Sequence, residues 1–540
     1  MPEDFRFRTE DFKPEELQDQ YVEGEQERLL IAQLKAPSPL VLEGSRGTGK
    51  SFLMRMAEIE LWRDFETERI VPVYLSFLKS SLIYTSDPHQ FHNWMLAKLC
   101  SSVLKSLKKA GMVSPNSSAF RVLTGNDVPP ASDSVTELEA LVSQYESSYM
   151  NPGMAVVSNK VPDIQTLKDG LEEIAEHFHI KRFAIFFDEA IHVFKAEQQR
   201  QFFTIFRDLR SPYIGCNAAV YPGVTSYGPV FELTHDATRK RITRDITASD
   251  YVSQMREIVL KQSDEDLTMA IERNGENFAI LAYAATGNPR ILLKTLAQAN
   301  RLRASDVTET IRTFYRSTIW AEHSALANSY EGQKFFVDWG RNFLENVVLP
   351  ETKQKNDKRK SEGTKESTCT FWIHRNAPEG AKHGLRLLEY TGIVQKGEDG
   401  IRGTRSEIGT RYQVNVGCLL ALEANPAITG FDIAQHLSIK RFSEFGANNS
   451  AYPASIGRDD VLAQAADIEI LQAQLAKPIS KLDISHFQRT QLEIAGYNTI
   501  GSVLRADEWQ LQSSLDYVGP VRARQIKNAA NVAVLEYLSG

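Results

Sequence analysis

The sequence feature that most constrains the fold is a glycine-rich segment, Gly44-Ser45-Arg46-Gly47-Thr48-Gly49-Lys50-Ser51. It fits the pattern G-x-x-x-x-G-K-[ST] at every position. The apolar run 39–42 predicts a strand before it, and the residues from Ser51 onward predict a helix after it. This is the context in which such a loop binds phosphate, because glycines let backbone N–H groups approach the anion. The alternative, a turn that carries a lysine by coincidence, is disfavoured by the complete pattern.

The residue types of the loop indicate its chemistry. The Lys50 ammonium is predicted to neutralise the β- and γ-phosphates of ATP, and the Ser51 hydroxyl is predicted to hold Mg²⁺. The positive end of the helix dipole adds to the attraction for an anion. The nucleotide contacts predicted in this segment are Gly44, Ser45, Arg46, Gly47, Thr48, Gly49, Lys50, Ser51 and Phe52.

A second element of the same site is an apolar strand that ends in two acids, 183–189. It resembles the Walker B element, in which Asp188 would support Mg²⁺ and Glu189 would orient and polarise the attacking water. Alone the pattern is weak, since many strands end in a solvated acid, but the phosphate loop earlier in the chain strengthens it. The long separation from Ser51 predicts an inserted segment.

Composition limits the remaining possibilities. A chain of 540 residues is too long for one core, and its 42% hydrophobic and 24% charged residues are ordinary for a soluble globular protein. A net charge of −7 argues against a uniformly basic nucleic-acid binder but allows local basic surfaces. The N-terminus is too charged for a secretory signal, and no apolar run is long enough to span a bilayer. The cysteines have neither metal-ligand nor disulfide spacing, which predicts a reducing cytoplasm: Cys100, Cys216, Cys369 and Cys418.

Hydrophobic periodicity predicts an α/β P-loop NTPase core over 1–249, with three layers and a mainly parallel sheet. Further strands are predicted at 70–77 and 213–221, and helices at 91–107, 164–177 and 197–209. Residues 109–163 break the pattern and are interpreted as an insertion or mobile subdomain with one helical patch near 135–149. Residues 250–350 are strongly helical and are interpreted as a lid.

Within the lid, Gly287-Asn288-Pro289-Arg290 resembles the sensor 2 region of AAA+ ATPases of the origin-recognition type and the corresponding motif of STAND ATPases. In those families the motif begins a helix over the nucleotide. The resemblance implies that Pro289 borders the base and that Arg290 reaches the γ-phosphate. The same tetrad is also an ordinary helix start with proline in the first turn. The resemblance covers roughly residues 20–420.

Two further roles follow from the same resemblance. Additional-strand ATPases carry a polar γ-phosphate sensor near the end of the strand at 213–221, where Tyr221, Thr225 and Ser226 are candidates and Thr225 is favoured. A simple strand exit is the open alternative. AAA+ relatives also complete the site with an arginine from a neighbouring subunit, which implies a homo-oligomer. Arg239 and Arg241 are the candidates, and an exposed basic stretch is the alternative.

Residues 351–367 are polar and rich in lysine, and they predict a disordered basic linker that acts as a hinge rather than a phosphate contact. Residues 368–425 are similar to a winged helix, with a helix at 379–390, strands at 392–396 and 411–416, and a wing at 397–410. Winged helices bind DNA or protein, and both readings stay open. The cations that could meet DNA are Arg375, Lys382, His383, Arg386, Arg402 and Arg405.

Residues 426–477 predict a helical connector, and 478–540 resemble a helix-hairpin-helix and the C-terminal domain of the RNA polymerase α subunit. In that motif Gly519 would make a tight turn whose N–H groups suit a DNA phosphate. A purely structural helical hairpin is the alternative. The added positive charge comes from Arg522, Arg524 and Lys527.

These elements predict a DNA-binding ATPase that uses ATP to change its assembly on DNA or to recruit an effector protein. The alternatives are a signalling switch whose C-terminal modules bind protein, and an ATP-driven loader or motor. The sequence shows no nuclease, protease or deaminase constellation. The resemblance also implies a prokaryotic protein of a defence or mobile-element system.

Overall fold

The computed structural model describes residues 5–79, 88–114, 117–126, 134–148, 156–190, 196–228, 230–299, 301–330, 333–452 and 475–538. The chain forms two compact units, one of Arg6–Thr243 and one of Met1–Phe5 with Arg244–Gly540. No helix among the described residues combines the length and the apolar character that a membrane span needs.

The first unit is built on a parallel sheet with the strand order β2-β3-β4-β1-β5 among the described residues. Every neighbouring pair is parallel. The central strands are buried along their whole length, which explains their nearly continuous apolar sequence. The strands are β1 Leu40–Glu43, β2 Ile70–Ser76, β3 Arg182–Asp188, β4 Ile214–Val220 and β5 Thr238–Arg241.

Alternate residues of β3 enter two separate hydrophobic clusters. Phe183, Ile185 and Phe187 pack with helices α5 to α9, whereas Ala184 and Phe186 pack with α1 to α3. Helices therefore cover both faces of the sheet, which confirms the predicted three-layer α/β P-loop NTPase fold. The helices of this unit are α1 Pro14–Asp19, α2 Glu25–Leu34, α3 Lys50–Arg63, α4 Phe65–Glu68, α5 Pro88–Lys109, α6 Ser118–Thr124, α7 Glu137–Glu146, α8 Ile164–His177, α9 Ala196–Asp208 and α10 Leu233–Asp236.

The segment 109–163 holds two helices among its described residues, α6 and α7, where the sequence predicted one. Helix α6 is short, and it is defined by the Ser117 cap and by Gly125 in the left-handed region. Both helices bury apolar side chains in the larger core cluster, including Phe120 and Tyr145. These parts of the segment belong to the core, which corrects the expectation of a mobile subdomain. The predicted breaks at 129–130 and 151–153 lie outside the described residues.

The second unit begins with the predicted helical region. Two π-helical segments, Phe314–Thr318 and Leu344–Val348, join neighbouring helices. The helices are α11 Tyr251–Leu260, α12 Glu265–Arg273, α13 Gly275–Ala284, α14 Pro289–Gln298, α15 Ala304–Thr313, α16 Ile319–Ser329, α17 Lys334–Phe343 and α18 Leu349–Ser361.

Helix α18 corrects the prediction that 351–367 is a disordered linker. The segment continues a preceding helix, so it needs no new nucleus. Ion pairs one turn apart also support it, Lys353 with Asp357 at 3.0 Å and Lys355 with Glu351 at 2.9 Å. The prediction of disorder rested on composition, which gives the number of charged residues but not which of them form ion pairs.

A four-stranded sheet with the order β7-β8-β6-β9 follows among the described residues. Helix α19 confirms the helix predicted at 379–390, and β7 and β8 confirm the predicted pair, although the turn between them, 403–407, is shorter than the predicted wing. Strand β6 was not predicted, and β9 lies in the segment 426–477, where only a helical connector was predicted. The elements are β6 Thr370–His374, α19 Glu379–Thr391, β7 Val394–Arg402, β8 Ile408–Val414, α20 Val416–Leu420, α21 Pro426–Gln435 and β9 Ser443–Phe445.

The C-terminal residues form compact helices with a hydrophobic cluster of their own, as the sequence predicted. Capping boxes at Ser485, Thr499 and Asp507 begin three of them and satisfy their first N–H groups. The helices are α22 His486–Ile494, α23 Ile500–Arg505, α24 Glu508–Ser514 and α25 Pro520–Leu538.

Candidate nucleotide-binding site

The loop between β1 and α3 has the backbone that its glycines predict. Gly47 and Gly49 lie in the left-handed region, at φ 84° and 103°, and α3 begins at Lys50 directly after them. A Cβ at Gly44 would lie 2.5 Å from Thr48 Oγ1, which leaves no room for a side chain. Thr48 Oγ1 in turn donates to Ser45 O at 2.9 Å. The loop is a compact turn that closes on the start of a helix.

Lys50 is held inside this loop. Its side chain is buried, and its Nζ donates to Ser45 O at 3.1 Å and to Gly44 O. A phosphate oxygen is a stronger acceptor for an ammonium than a backbone carbonyl is. The geometry therefore fits a phosphate that would take over the ammonium from these carbonyls.

Tyr221 lies at the end of β4, beside the loop. Its ring lies 4.1 Å from Lys50 Nζ and 5.9 Å from Arg46 Cζ, both at cation–π distances. Thr225, the favoured sensor, donates its hydroxyl to Tyr221 O at 2.6 Å, and Ser226 N donates to Gln199. Of the three sensor candidates, Tyr221 is the one whose side chain contacts the loop. The role of Thr225 stays a prediction.

The acidic pair ends β3, which β4 separates from the strand before the loop. Asp188 is buried and accepts the Glu189 N–H at 2.9 Å. Strand β2 supplies one hydroxyl to each acid, from Tyr74 to Asp188 Oδ2 and from Ser76 to Glu189 Oε2 at 3.3 Å. The sequence analysis missed these two donors. The sequence did contain a signal for them, because Tyr74 and Ser76 occupy alternate positions near the end of the predicted strand and therefore share one of its faces.

Glu189 has the properties of a base that works near neutral pH. Burial, followed by the charge of Asp188, raises the pKa of Glu189 to about 7. Its backbone is in the left-handed region at φ 51°, which is uncommon for a residue with a side chain. A carboxyl group with a pKa near neutral pH fits the predicted role of a base that accepts a proton from water.

The raised pKa of Glu189 predicts the pH dependence of hydrolysis. Below pH 7 the carboxyl is increasingly protonated and cannot accept a proton from water, so kcat/KM should rise through about pH 7 and then level off. The measurement is the initial rate of phosphate release from pH 5.5 to 9. The residual rate of Glu189→Gln should lack this rise. A wild-type rate that stays constant across pH 7 would exclude Glu189 as the base.

Arg239 and Arg241 lie on β5, an edge strand that pairs with β1. Both guanidinium groups form ion pairs with the carboxylate of the buried Glu43, at 3.7 Å for Arg239 and 3.2 Å for Arg241. The region is therefore an edge strand that is tied to Glu43 by ion pairs and that keeps part of its basic surface exposed. Arg239 is the more exposed of the two, at 45% against 27%. Its action on a neighbouring subunit stays a prediction.

The Gly-Asn-Pro-Arg turn lies in the second unit. Gly287 has φ 75°, and the Asn288 side chain caps α14, with Pro289 at its first position. The Gly287 N–H donates to the Tyr251 hydroxyl at 2.8 Å. The predicted helix start is confirmed. The nucleotide contacts of Pro289 and Arg290 stay predictions.

Part of the chain matches a known protein family, and two solved structures are similar to it. Residues 5–216 match the protein family described as ORC-CDC6-like, and no curated protein matches the chain. The chain is similar to a Walker-type ATPase of Pyrococcus abyssi, with 13% identity over 80% of this chain and 99% of that chain and a TM-score of 0.37. It is also similar to the Orc1 protein of Aeropyrum pernix in complex with DNA, with 14% identity over 77% and 97% of the two chains and a TM-score of 0.31.

The family match contains both the phosphate loop and Asp188, and it ends within the first unit. It supports the resemblance for the ATPase core. Both structural similarities are low, with TM-scores below 0.5, and the fold class follows from the sheet order and the loop geometry. The winged-helix and helix-hairpin-helix resemblances stay predictions.

Two of the side chains that were predicted to contact DNA near the four-stranded sheet have partners within the protein instead, which corrects the prediction for them. Arg386 is paired with Glu379 at 2.6 Å. His383 is half-buried and hydrogen-bonded to Gln333, and burial, followed by the charge of Arg386, holds the pKa of His383 well below its usual range. By contrast, Arg402 at the end of β7 and Arg405 in the turn after it are exposed.

The C-terminal hairpin also differs from its prediction. Gly519 lies outside the left-handed region, and a Cβ there would meet nothing within 4 Å. The left-handed residue is Tyr517, at φ 57°. The turn therefore does not require glycine at position 519. Arg522 is exposed, and its guanidinium donates to Tyr517 O at 2.7 Å.

Arg524 has a structural role in place of the predicted contact with DNA. It pairs with Glu508 at 2.7 Å and donates to Asn376 O at 3.0 Å and Ala447 O at 3.1 Å. Lys527 donates to the carbonyls of Leu504 and Ala506. Both cations tie elements of the second unit together.

Proposed function

We propose that the chain is a Mg²⁺-dependent ATPase that couples its nucleotide state to assembly on DNA or to recruitment of an effector protein. One observation carries the proposal. The enclosed Lys50 ammonium and the Asp188–Glu189 pair lie in one unit, each at the carboxyl end of a parallel strand. In open α/β sheets this edge is where ligands bind.

Each functional residue at this edge of the sheet has its own proposed role in hydrolysis. Loop N–H groups and Lys50 would bind the phosphates, and the oxygens of Ser51 and Asp188 suit Mg²⁺, which would neutralise developing charge there. The Glu189 carboxylate would orient the attacking water and accept its proton. The Ser76 hydroxyl, which donates to Glu189 Oε2, would hold that carboxylate in place.

Arg239 is proposed to complete the site of a neighbouring copy in a homo-oligomer. Its exposed side chain lies on the strand beside β1, and an arginine supplied in trans would stabilise transition-state charge. Specific activity should then rise with protein concentration. Lys50→Ala and Arg239→Ala should each be inactive alone. Their mixture should regain activity, because an Arg239→Ala subunit keeps its phosphate loop and can receive Arg239 from a Lys50→Ala neighbour. A rate independent of concentration, with no regain on mixing, would indicate a monomeric switch.

DNA binding is the less direct part of the proposal. It is supported by the ORC-CDC6-like match and by the exposed arginines near the β7–β8 turn. The test is ATP hydrolysis with and without duplex or single-stranded DNA, alongside sizing with a non-hydrolysable ATP analogue. Stimulation by DNA supports the proposal, and an increase with DNA length would favour a loader or motor. Hydrolysis that is indifferent to DNA, in a chain that binds none, would favour the signalling switch.

Arg405→Ala should weaken DNA binding to a similar degree for unrelated duplexes. Loss of one phosphate contact should reduce the slope of log K against log[salt] by about 0.9. The matched control is Lys181→Ala, which removes one exposed cation from the first unit. Titration of labelled duplex at several salt concentrations measures both slopes. Equal slopes for the two variants would exclude the β7–β8 turn as a DNA contact.

The cytoplasm is the proposed location. The four cysteines of the described residues are buried free thiols, as expected in a reducing compartment. A role in defence or in a mobile element rests on the resemblance alone.

A further inference from the structure

Tyr74 contributes an unassigned hydroxyl to the acidic pair. It lies on β2, two residues before Ser76, which pairs with Asp188 in the β2–β3 register. The phenol therefore reaches the Asp188 carboxylate from the neighbouring strand and donates to Oδ2.

The two oxygens of Asp188 are fixed from two directions. Oδ1 accepts the Glu189 N–H at 2.9 Å, and Oδ2 accepts the Tyr74 hydroxyl. A carboxylate oxygen has two lone pairs, so each oxygen keeps one acceptor direction for a further ligand. The carboxylate is thus held in one orientation and can still bind.

The ring of Tyr74 is itself held by the helix that follows the phosphate loop. Arg55 Cζ on α3 lies 3.3 Å from the ring centroid, and Arg55 pairs with Glu58 at 2.7 Å. The ring also packs against the smaller core cluster. These contacts do not use the hydroxyl, so they would keep a phenylalanine in the same position.

We propose that Tyr74 is a positioning residue that fixes the Asp188 carboxylate for Mg²⁺. This inference rests on the proposed function, in which Asp188 supports the metal. Hydrogen-bond partners of metal-binding carboxylates set the orientation of the ligand, and losing one typically costs 10–100-fold in metal affinity. Through Arg55 and Tyr74, the phosphate-loop helix is connected to the acidic end of β3.

The test is binding of a fluorescent ATP analogue to the full chain, titrated with Mg²⁺ from an EDTA baseline. Tyr74→Phe should raise the half-saturating Mg²⁺ concentration by about tenfold and leave affinity in EDTA unchanged. The matched control is Tyr213→Phe. Tyr213 lies just before β4, and its phenol donates to the Glu176 carboxylate at 3.4 Å, so this substitution also removes a hydroxyl that donates to a carboxylate. It should behave as wild type.

The inference would be overturned if Tyr74→Phe had an unchanged or lower half-saturating Mg²⁺ concentration. Wild-type nucleotide affinity of this variant in EDTA would show that its phosphate loop is intact. A different result would overturn the proposed function itself. In that case the wild-type chain would show no Mg²⁺-dependent nucleotide binding, whatever the variants do.

Discussion

Lys50→Ala is expected to weaken ATP binding by at least about a hundredfold, the largest loss of nucleotide affinity among the substitutions considered for this chain. Hydrogen bonds that involve a charged partner contribute about 1.5–3 kcal/mol each, so losing an ammonium that can make two of them costs roughly 3–6 kcal/mol. The ammonium is enclosed by the loop, where a cation in solution cannot readily replace it. The effect should therefore persist at physiological salt.

The measurement for Lys50→Ala is equilibrium binding of a labelled ATP analogue. Lys98→Ala is the matched control, since Lys98 is also a partly buried lysine of the first unit, with an ion pair to Glu146 at 2.6 Å. The control should bind nucleotide as the wild type does. Equal affinities in wild type and Lys50→Ala would show that the glycine-rich segment is not a phosphate loop.

Glu189→Gln is expected to bind ATP normally and to hydrolyse it about 10²–10⁴-fold more slowly. The amide keeps the size of the side chain and can still contact Ser76, but it cannot accept a proton from water. Because only the reaction step is affected, the variant should accumulate as a complex with ATP.

Single-turnover hydrolysis and nucleotide binding, measured on the same Glu189→Gln preparation, separate these two effects. Glu176→Gln, which alters a carboxylate of α8, is the control and should keep wild-type activity. Hydrolysis within a few-fold of wild type in Glu189→Gln would assign the base to another residue.

The sequence predicted the parts of the site that depend on consecutive residues. The phosphate loop, the strand before it and the helix after it follow from one continuous pattern, and β3 with its two acids follows from another. The contacts between strands did not follow. Tyr74 meets Asp188 across 114 positions of the chain, and that meeting depends on a sheet register that no local pattern encodes.

The basic residues show why a cation in the sequence is a weak predictor of a nucleic-acid contact. Arg386 and Arg524 look available in the sequence, yet each has an acidic partner in the structure. Gly519 shows the same limit for a turn, because the left-handed conformation falls two residues earlier, at Tyr517. Helix α18 likewise depends on ion pairs that composition alone does not show. Partner choice is a property of the folded chain.

We expect this chain to hydrolyse ATP at the phosphate loop and the acidic pair of its first unit. The most direct measurement is the initial rate of phosphate release by the full chain across ATP concentrations, in Mg²⁺ and in EDTA, with Lys50→Ala measured in parallel. Phosphate release should be saturable, should require Mg²⁺ and should disappear in Lys50→Ala. Release that persists in EDTA or in Lys50→Ala, or the absence of release from the wild-type chain, would contradict this expectation.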